Sequence, residues 1–289
     1  MSAIRIRSLL VVTLSVTSFA HPCLAEDSLQ KSLTFYASYD KKLVGDSGGG
    51  EFGVSTRSDD PEKKGSYVIR QGYPKEAFRI VDGGIEGGCL EAVKVLPRRG
   101  RLFFPAKGNI GFRPGGWGGS VSFWLKTNPD TMLKTRFCDP IQITQKRAHD
   151  GALWIDFPDS KPRDLRLGAF TALREGKKPL KESDPLAPLI RVKKIDFKED
   201  EWHHLVMTWR NLDSGKANAT VTLWIDGKRI GALKDRNIAM NWEPDKAGIY
   251  FAVGLIGQMD ELAIFRRELT PAEIAALHKD AGLVSRLAR

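Results

Sequence analysis

The chain is poor in the features that announce most enzyme chemistry. Cysteine is scarce, three in 289 residues, too few for a disulfide scaffold or a cysteine-rich zinc cage. The longest apolar stretch, Leu9 to Ala20, falls short of the roughly 20 residues a membrane-crossing helix needs, so no membrane span is expected. No Gly-x-Ser-x-Gly, phosphate-binding glycine loop or dinucleotide fingerprint occurs, and nucleophilic and nucleotide chemistry lack their usual signatures. Acidic residues are in deficit, 35 against 45 basic, for a formal net charge of +10. The basic residues are nevertheless dispersed, and no basic helix alternates with stacking aromatics, which argues against a nucleic-acid partner. A positive field of this kind favours acidic polymers through steering that weakens with salt.

What is present begins with Arg5 and Arg7 ahead of the apolar run Leu9–Val16, followed by small side chains at Cys23-Leu24-Ala25. This is the pattern of a cleavable export signal over residues 1–25. The expectation is a secreted, extracytoplasmic chain covering residues 26–289. His21-Pro22 ahead of Cys23 argues against a lipid anchor. Export would carry Cys89 and Cys138 to surroundings where a disulfide persists, but bridging requires Cα atoms within roughly 7 Å, and the sequence leaves that pairing open.

Strand signals recur along the chain with almost nothing helical between them. In Val121-Ser122-Phe123-Trp124-Leu125-Lys126, alternation places Val121, Phe123 and Leu125 on one face. The same rule groups Leu205, Met207 and Trp209, and then Val221, Leu223 and Ile225. Asp226-Gly227 between two β-prone runs suits the positive φ angles of a tight hairpin. Gly45–Gly72 reads as a long loop with one weak strand at Tyr67–Arg70. Arg174–Pro188 reads as an inserted surface loop because its prolines and Glu175-Gly176 block regular structure. Thr270-Pro271-Ala272-Glu273 supplies an N-cap, a first-turn proline and a capping-box glutamate, predicting a short C-terminal helix to about His278. Many short strands without alternating helices make the fold class all-β, with two stacked antiparallel sheets.

Several phrases then occur in one order: Ser120-Val121-Ser122-Phe123-Trp124-Leu125-Lys126, Trp202-His203-His204-Leu205-Val206-Met207-Thr208-Trp209, Leu223-Trp224-Ile225-Asp226-Gly227-Lys228, and Gly257-Gln258-Met259-Asp260-Glu261-Leu262-Ala263-Ile264-Phe265 with the helix after it. Together they resemble the laminin G-like jelly-roll family of the concanavalin A-like lectins and glucanases. The resemblance runs from about Leu33 to His278 and implies one jelly-roll sandwich domain. It departs at the two long insertions. It also implies that the first strand, ending at Asp40, lies beside the last, so that Asp40 and Asp260 approach each other where members of this fold often hold a structural calcium ion. The competing reading is that Asp40 caps a turn and Asp260 pairs with an arginine.

Glycosidases on this sandwich place paired carboxylates along one strand, but a Glu-x-Asp-x-x-Glu phrase is absent. Asp196, Glu199, Asp200 and Glu201 read as a solvated charge run. His203 and His204 point to opposite sides of a strand and cannot share an ion from one face. No active site is expected. For binding, Trp117 in the glycine-rich 113–119 segment and Trp242 are the tryptophans best placed to stack on a sugar, with burial in the core as the competing reading. The functional expectation is therefore a non-catalytic recognition module for carbohydrate or an extracellular protein. The alternative is a glycoside hydrolase or lyase on the same sandwich.

Overall fold

The structure, a computed structural model, describes residues 22–135 and 137–288, with side chains from residue 26 onward. The leader expected over residues 1–25 therefore lies outside the described residues except for the backbone of its last four. Seventeen strands follow in chain order: β1 Leu33–Ala37, β2 Ser47–Gly48, β3 Ser55–Asp59, β4 Tyr67–Gln71, β5 Phe78–Asp82, β6 Gly88–Ala92, β7 Arg101–Pro105, β8 Trp117–Lys126, β9 Cys138–Arg147, β10 Asp150–Phe157, β11 Leu165–Phe170, β12 Leu189–Val192, β13 His203–Leu212, β14 Ala219–Ile225, β15 Lys228–Arg236, β16 Gly248–Val253 and β17 Gly257–Phe265. The helices are α1 Pro22–Ser32, α2 Pro271–Lys279 and α3 Leu283–Leu287.

The strands form a jelly-roll sandwich of two antiparallel sheets. One sheet runs β15-β14-β13-β8-β17-β1-β2, with β5 and β6 joined through β17. The other runs β12-β11-β10-β9-β16-β7-β3-β4. Alternation supplies the core from both: Val121, Phe123, Leu125, Leu205, Met207 and Trp209 from the first sheet meet Ile141, Ile143, Leu153, Ile155, Ile249 and Phe251 from the second. The Asp226-Gly227 hairpin forms as expected, with Ile225 opposite Lys228 and φ near 50° and 73° at the two turn residues. Strand β3 lies inside the stretch read as loop. Its Ser-Thr-Arg-Ser-Asp sequence carries no apolar alternation, so only its pairing with β4 and β7 reveals it.

The helices close the outer face of the first sheet. The Thr270 hydroxyl accepts from the Glu273 amide while Glu273 accepts from the Thr270 amide, a complete capping box that starts α2. Ile274 and Leu277 of α2, Leu283 and Val284 of α3 and Leu29 of α1 bury Tyr36, Val206, Trp224, Ala263 and Phe265. At roughly 25 cal/mol per Å² of apolar surface, this second core anchors the C-terminus to the sandwich.

Candidate functional site

Among the described residues, no helix covers the outer face of the second sheet. Because Ile141 and Ile143, Leu153 and Ile155, Ile249 and Phe251, and Leu102 and Phe104 point into the core, the residues between them point outward. Register then aligns the outward residues into a row across the sheet: Trp154 opposite Gln142, Gln142 opposite Tyr250, and Tyr250 opposite Phe103. Beside this row lie the charged residues Arg166 and Asp156, which are paired partners, and Arg101 and Arg57, which are also paired partners. The face is thus half aromatic and half ionic.

Two clefts occupy it. The smaller, about 410 Å³, is lined by Arg101, Asp139, His149, Trp154, Asp156 and Glu182. At its base the buried Arg166 binds Asp156 through both carboxylate oxygens, at 2.8 and 2.5 Å, and also binds Glu182. His149 Nε2 lies 2.9 Å from the other Glu182 oxygen. Glu182 belongs to the irregular insertion expected at Arg174–Pro188, so that insertion reaches back over the sheet and delivers a carboxylate. Burial, followed by the neighbouring Asp156, pushes Asp139 up to about 7 against the opposing pull of Arg101 and Arg166. Burial lifts Asp156 to about 6 despite its bonds to Arg166. Glu182 moves the other way, down to about 2, because His149 and then Arg166 hydrogen-bond it. Carboxylates with such divided proton affinities in one cleft are equipped to accept and donate hydrogen bonds at neutral pH.

The larger cleft, about 1070 Å³, continues along β16, β7, β3 and β4 and is lined by Arg57, Tyr67, Phe103, Lys107, Lys246 and Tyr250, among others. Phe103 and Tyr250 lie 5.3 Å apart between ring centroids, and the exposed Tyr67 forms its outer wall.

The first and last strands do bring Asp40 and Asp260 together. Strand β17 pairs with β6 through Met259 and with β1 from Leu262 onward. Asp260 and Glu261 sit where the partner changes, at an irregularity in which Glu261 has φ near 52°. Amides of Ile85 and Glu86 donate to Asp260, as does that of Glu261, and the Gly88 amide donates to Asp40. The loop wraps so tightly that a Cβ at Gly87 would lie 2.2 Å from Asp40 Oδ1, and one at Gly84 would lie 2.5 Å from Asp260 Oδ2. Among the described residues Asp260 pairs with no arginine, and it is raised to about 8, chiefly by burial. Glu261 is raised to about 9 by the same cause, accepts a 2.7 Å bond from Tyr36 and leaves its second oxygen buried without a partner. Hard oxygen donors, buried charge without a cation and an orphaned carboxylate oxygen fit the chemistry calcium selects. Among the described residues no three acidic, histidine or cysteine side chains converge as a ready cage, so Asp40 and Asp260 would need main-chain oxygens or water to complete a shell.

Two expectations are corrected and one open pairing is answered. Trp117 is fully buried: its indole donates to the Ile110 carbonyl and packs 4.8 Å from Trp209 and 5.4 Å from Trp242. Trp242 is 7% exposed and donates to the Gly151 carbonyl. Neither offers a face to a sugar. The glycines around Trp117 allow packing rather than display, since a Cβ at Gly119 would meet the Trp209 ring at 2.3 Å. Cys89 and Cys138 are both buried free thiols on strands of different sheets, β6 and β9, and form no disulfide. The histidine pair divides as alternation requires. His203 bonds Asp226 at 2.9 Å, while His204 is buried against Ser122 at 2.8 Å and is driven down to about 3 by burial.

The residues of the open face escaped sequence reasoning. Their signal was present as single polar residues inside apolar strands, Asp156 in Trp-Ile-Asp-Phe and Arg166 in Leu-Arg-Leu. Only the sheet register shows that they share one face.

No curated protein matches the sequence significantly. Solved structures share the fold. Domain 4 of AbnA, an extracellular GH43 arabinanase from Geobacillus stearothermophilus determined in complex with arabinotriose, is 19% identical with a TM-score of 0.51, covering 86% of this chain and 98% of that domain. The botulinum neurotoxin serotype D binding domain is 15% identical with a TM-score of 0.52, covering 89% of this chain and 53% of that one. The receptor binding domain of botulinum neurotoxin mosaic serotype C/D is 14% identical with a TM-score of 0.51, covering 86% and 51%. This chain thus spans about half the length of the two neurotoxin fragments. Residues 112–275 match the laminin G-type family described as the concanavalin A-like lectin/glucanases superfamily, and the chain belongs to that superfamily.

Proposed function

We propose that this chain is a secreted, non-catalytic recognition module that binds carbohydrate along the open face of its second sheet. The observation that carries this reading is the pair of clefts on one sheet face in which Phe103, Tyr250 and Tyr67 stand beside Arg57, Arg101 and Asp139. Aromatic rings bury the apolar faces of a sugar while fixed polar groups read its hydroxyls. The arabinotriose bound to the structurally similar arabinanase domain, and the receptor-binding role of the neurotoxin fragments, agree with a recognition task. Secretion rests on the leader pattern of residues 1–25.

Calcium held at Asp40 and Asp260 would neutralise buried charge and tie the first strand to the last; it has no part in the cleft. Excess calcium should then raise the melting temperature above its value in chelator, and equal temperatures would exclude the ion.

One observation favours a second reading, glycoside hydrolysis: Asp139 and Asp156 face one cleft, with Asp139 raised to about 7 and Asp156 to about 6. A glycan array run beside a reducing-sugar assay separates the readings. Binding without turnover, weakened at least tenfold by Phe103→Ala, supports recognition. Turnover abolished by Asp139→Asn overturns it in favour of hydrolysis. Silence in both assays rejects carbohydrate and leaves a protein partner.

A further inference from the structure

Where the two clefts adjoin, Arg57 on β3, which lines the larger, and Arg101 on β7, which lines the smaller, are direct register partners. Directly opposed residues on antiparallel strands have Cβ atoms about 4.5–5.5 Å apart on the same face, and like charges placed there repel. The usual remedy is an interposed carboxylate. Among the described residues, neither guanidinium makes an ion pair. The other cations of the larger cleft are already matched, Lys107 with Asp245 at 2.6 Å and Lys246 with Glu243 at 2.8 Å.

Neutral groups hold the two arginines instead. Arg57 donates to the Tyr250 hydroxyl at 2.8 Å and lies 3.7 Å from the centre of the Tyr67 ring. Arg101 donates to the Gln142 side-chain oxygen at 3.4 Å and lies 6.0 Å from the Tyr250 ring. Gln142 is fully buried, and its amide nitrogen has no partner. These contacts orient both guanidiniums without neutralising either. The carboxylate with the clearest electrostatic link to the pair is Asp139, which lines the smaller cleft together with Arg101 but makes no ion pair with it. Two half-buried, aligned and uncompensated charges form a receptor for an anion, because guanidinium forks match the geometry of planar or tetrahedral oxyanions. Phe103, partly exposed beside them, supplies an apolar face.

We propose that the boundary between the two clefts recognises an acidic sugar, one bearing a carboxylate or a sulfate ester, with Arg57 and Arg101 gripping the anionic group and Phe103 against the ring. This rests on the carbohydrate reading above and narrows it to a substrate class.

The test is titration of the full protein with polygalacturonate and its carboxyl-reduced neutral counterpart, and in parallel with dextran sulfate and dextran. The expected result is binding to at least one acidic polymer at least tenfold tighter than to its neutral partner. The acidic polymer that binds identifies the anionic group. Arg57→Gln and Arg101→Gln should each weaken that binding at least tenfold while melting within a few degrees of the wild type. Lys177→Gln with Lys178→Gln, which removes charge from the exposed insertion, should change it less than twofold. Equal affinity for neutral and acidic polymers would overturn the proposal and leave the carbohydrate reading standing. Acidic binding that the arginine variants do not weaken would overturn it in favour of general attraction to a basic protein. No binding to any of the four would count against both.

Discussion

The outer faces of the two sheets start from the same strand alternation and end in opposite states. On the nine-stranded sheet the outward residues Tyr36, Val206, Trp224, Ala263 and Phe265 are apolar, and three short helices cover them. On the eight-stranded sheet the outward residues include Arg57, Arg101, Gln142, Asp156 and Arg166, and what reaches over them is the 174–188 insertion with Glu182. The covered face gains stability from burial. The open face spends stability on charge, since burying Arg166 with its two carboxylates is at best roughly neutral compared with an apolar cluster of the same volume. A sheet that keeps such groups outward presents polar chemistry to solvent at that face, which supports the proposal of a ligand there.

The sharpest way to break this contrast is Arg166→Leu, which strands the buried Asp156 carboxylate and frees Glu182. Loss of one partner from a buried pair costs about 3–5 kcal/mol, and denaturant unfolding should show a loss of that size together with altered ligand binding. Ile274→Ala, on the covered face, should cost about 3 kcal/mol by leaving a cavity under α2 but leave ligand affinity unchanged. A matching loss of affinity would show that the two faces are coupled.

Glu261→Gln sharpens the comparison of the two carboxylate clusters. Glu261 has no arginine, and its affinity for protons rises from 4.5 to about 9 on folding. The folded chain therefore holds a proton that the unfolded chain releases, so this group's contribution to stability is complete below pH 4.5 and is lost as pH rises toward 9. Glutamine keeps the acceptor for Tyr36 and removes the charge. In calcium-free buffer the variant should melt a few degrees above the wild type at pH 8, with the difference closing by about pH 4.5. A constant offset across that range would refute the assignment. Thr270→Ala should have the smallest effect, about 1 kcal/mol from the lost N-cap of α2, read as a melting shift with no change in binding.

The sandwich was largely legible because its signals are local. Alternation in Val121–Lys126 and Leu205–Trp209, the Asp226-Gly227 turn and the Thr270–Glu273 cap each depend on residues a few positions apart. The site was much less legible. Trp117 was a candidate for display because its neighbouring glycines look like an exposed loop, but the competing core reading holds, since they make room for the packed rings of Trp117 and Trp209. Arg57 and Arg101 lie on strands that are not consecutive in the chain, β3 and β7, and β3 carries no apolar pattern. The nearness of Asp40 and Asp260 around the 84–88 loop was expected from the family likeness, which supplied the neighbouring strands that residue spacing alone does not. Free Cys89 and Cys138 show the same limit: spacing permits a bridge, and only the tertiary structure shows both thiols buried and unbridged.

The sequence by itself determined which side of its own strand each residue occupies, where the hairpin turns and where α2 begins, because these follow from backbone geometry over two to four residues. Only the tertiary structure decided which outward face the helices cover, which charges stand opposite each other and which carboxylates lose their water. Those outcomes depend on register between distant strands, and burial, charge pairing and proton affinity all follow from the neighbours that register supplies.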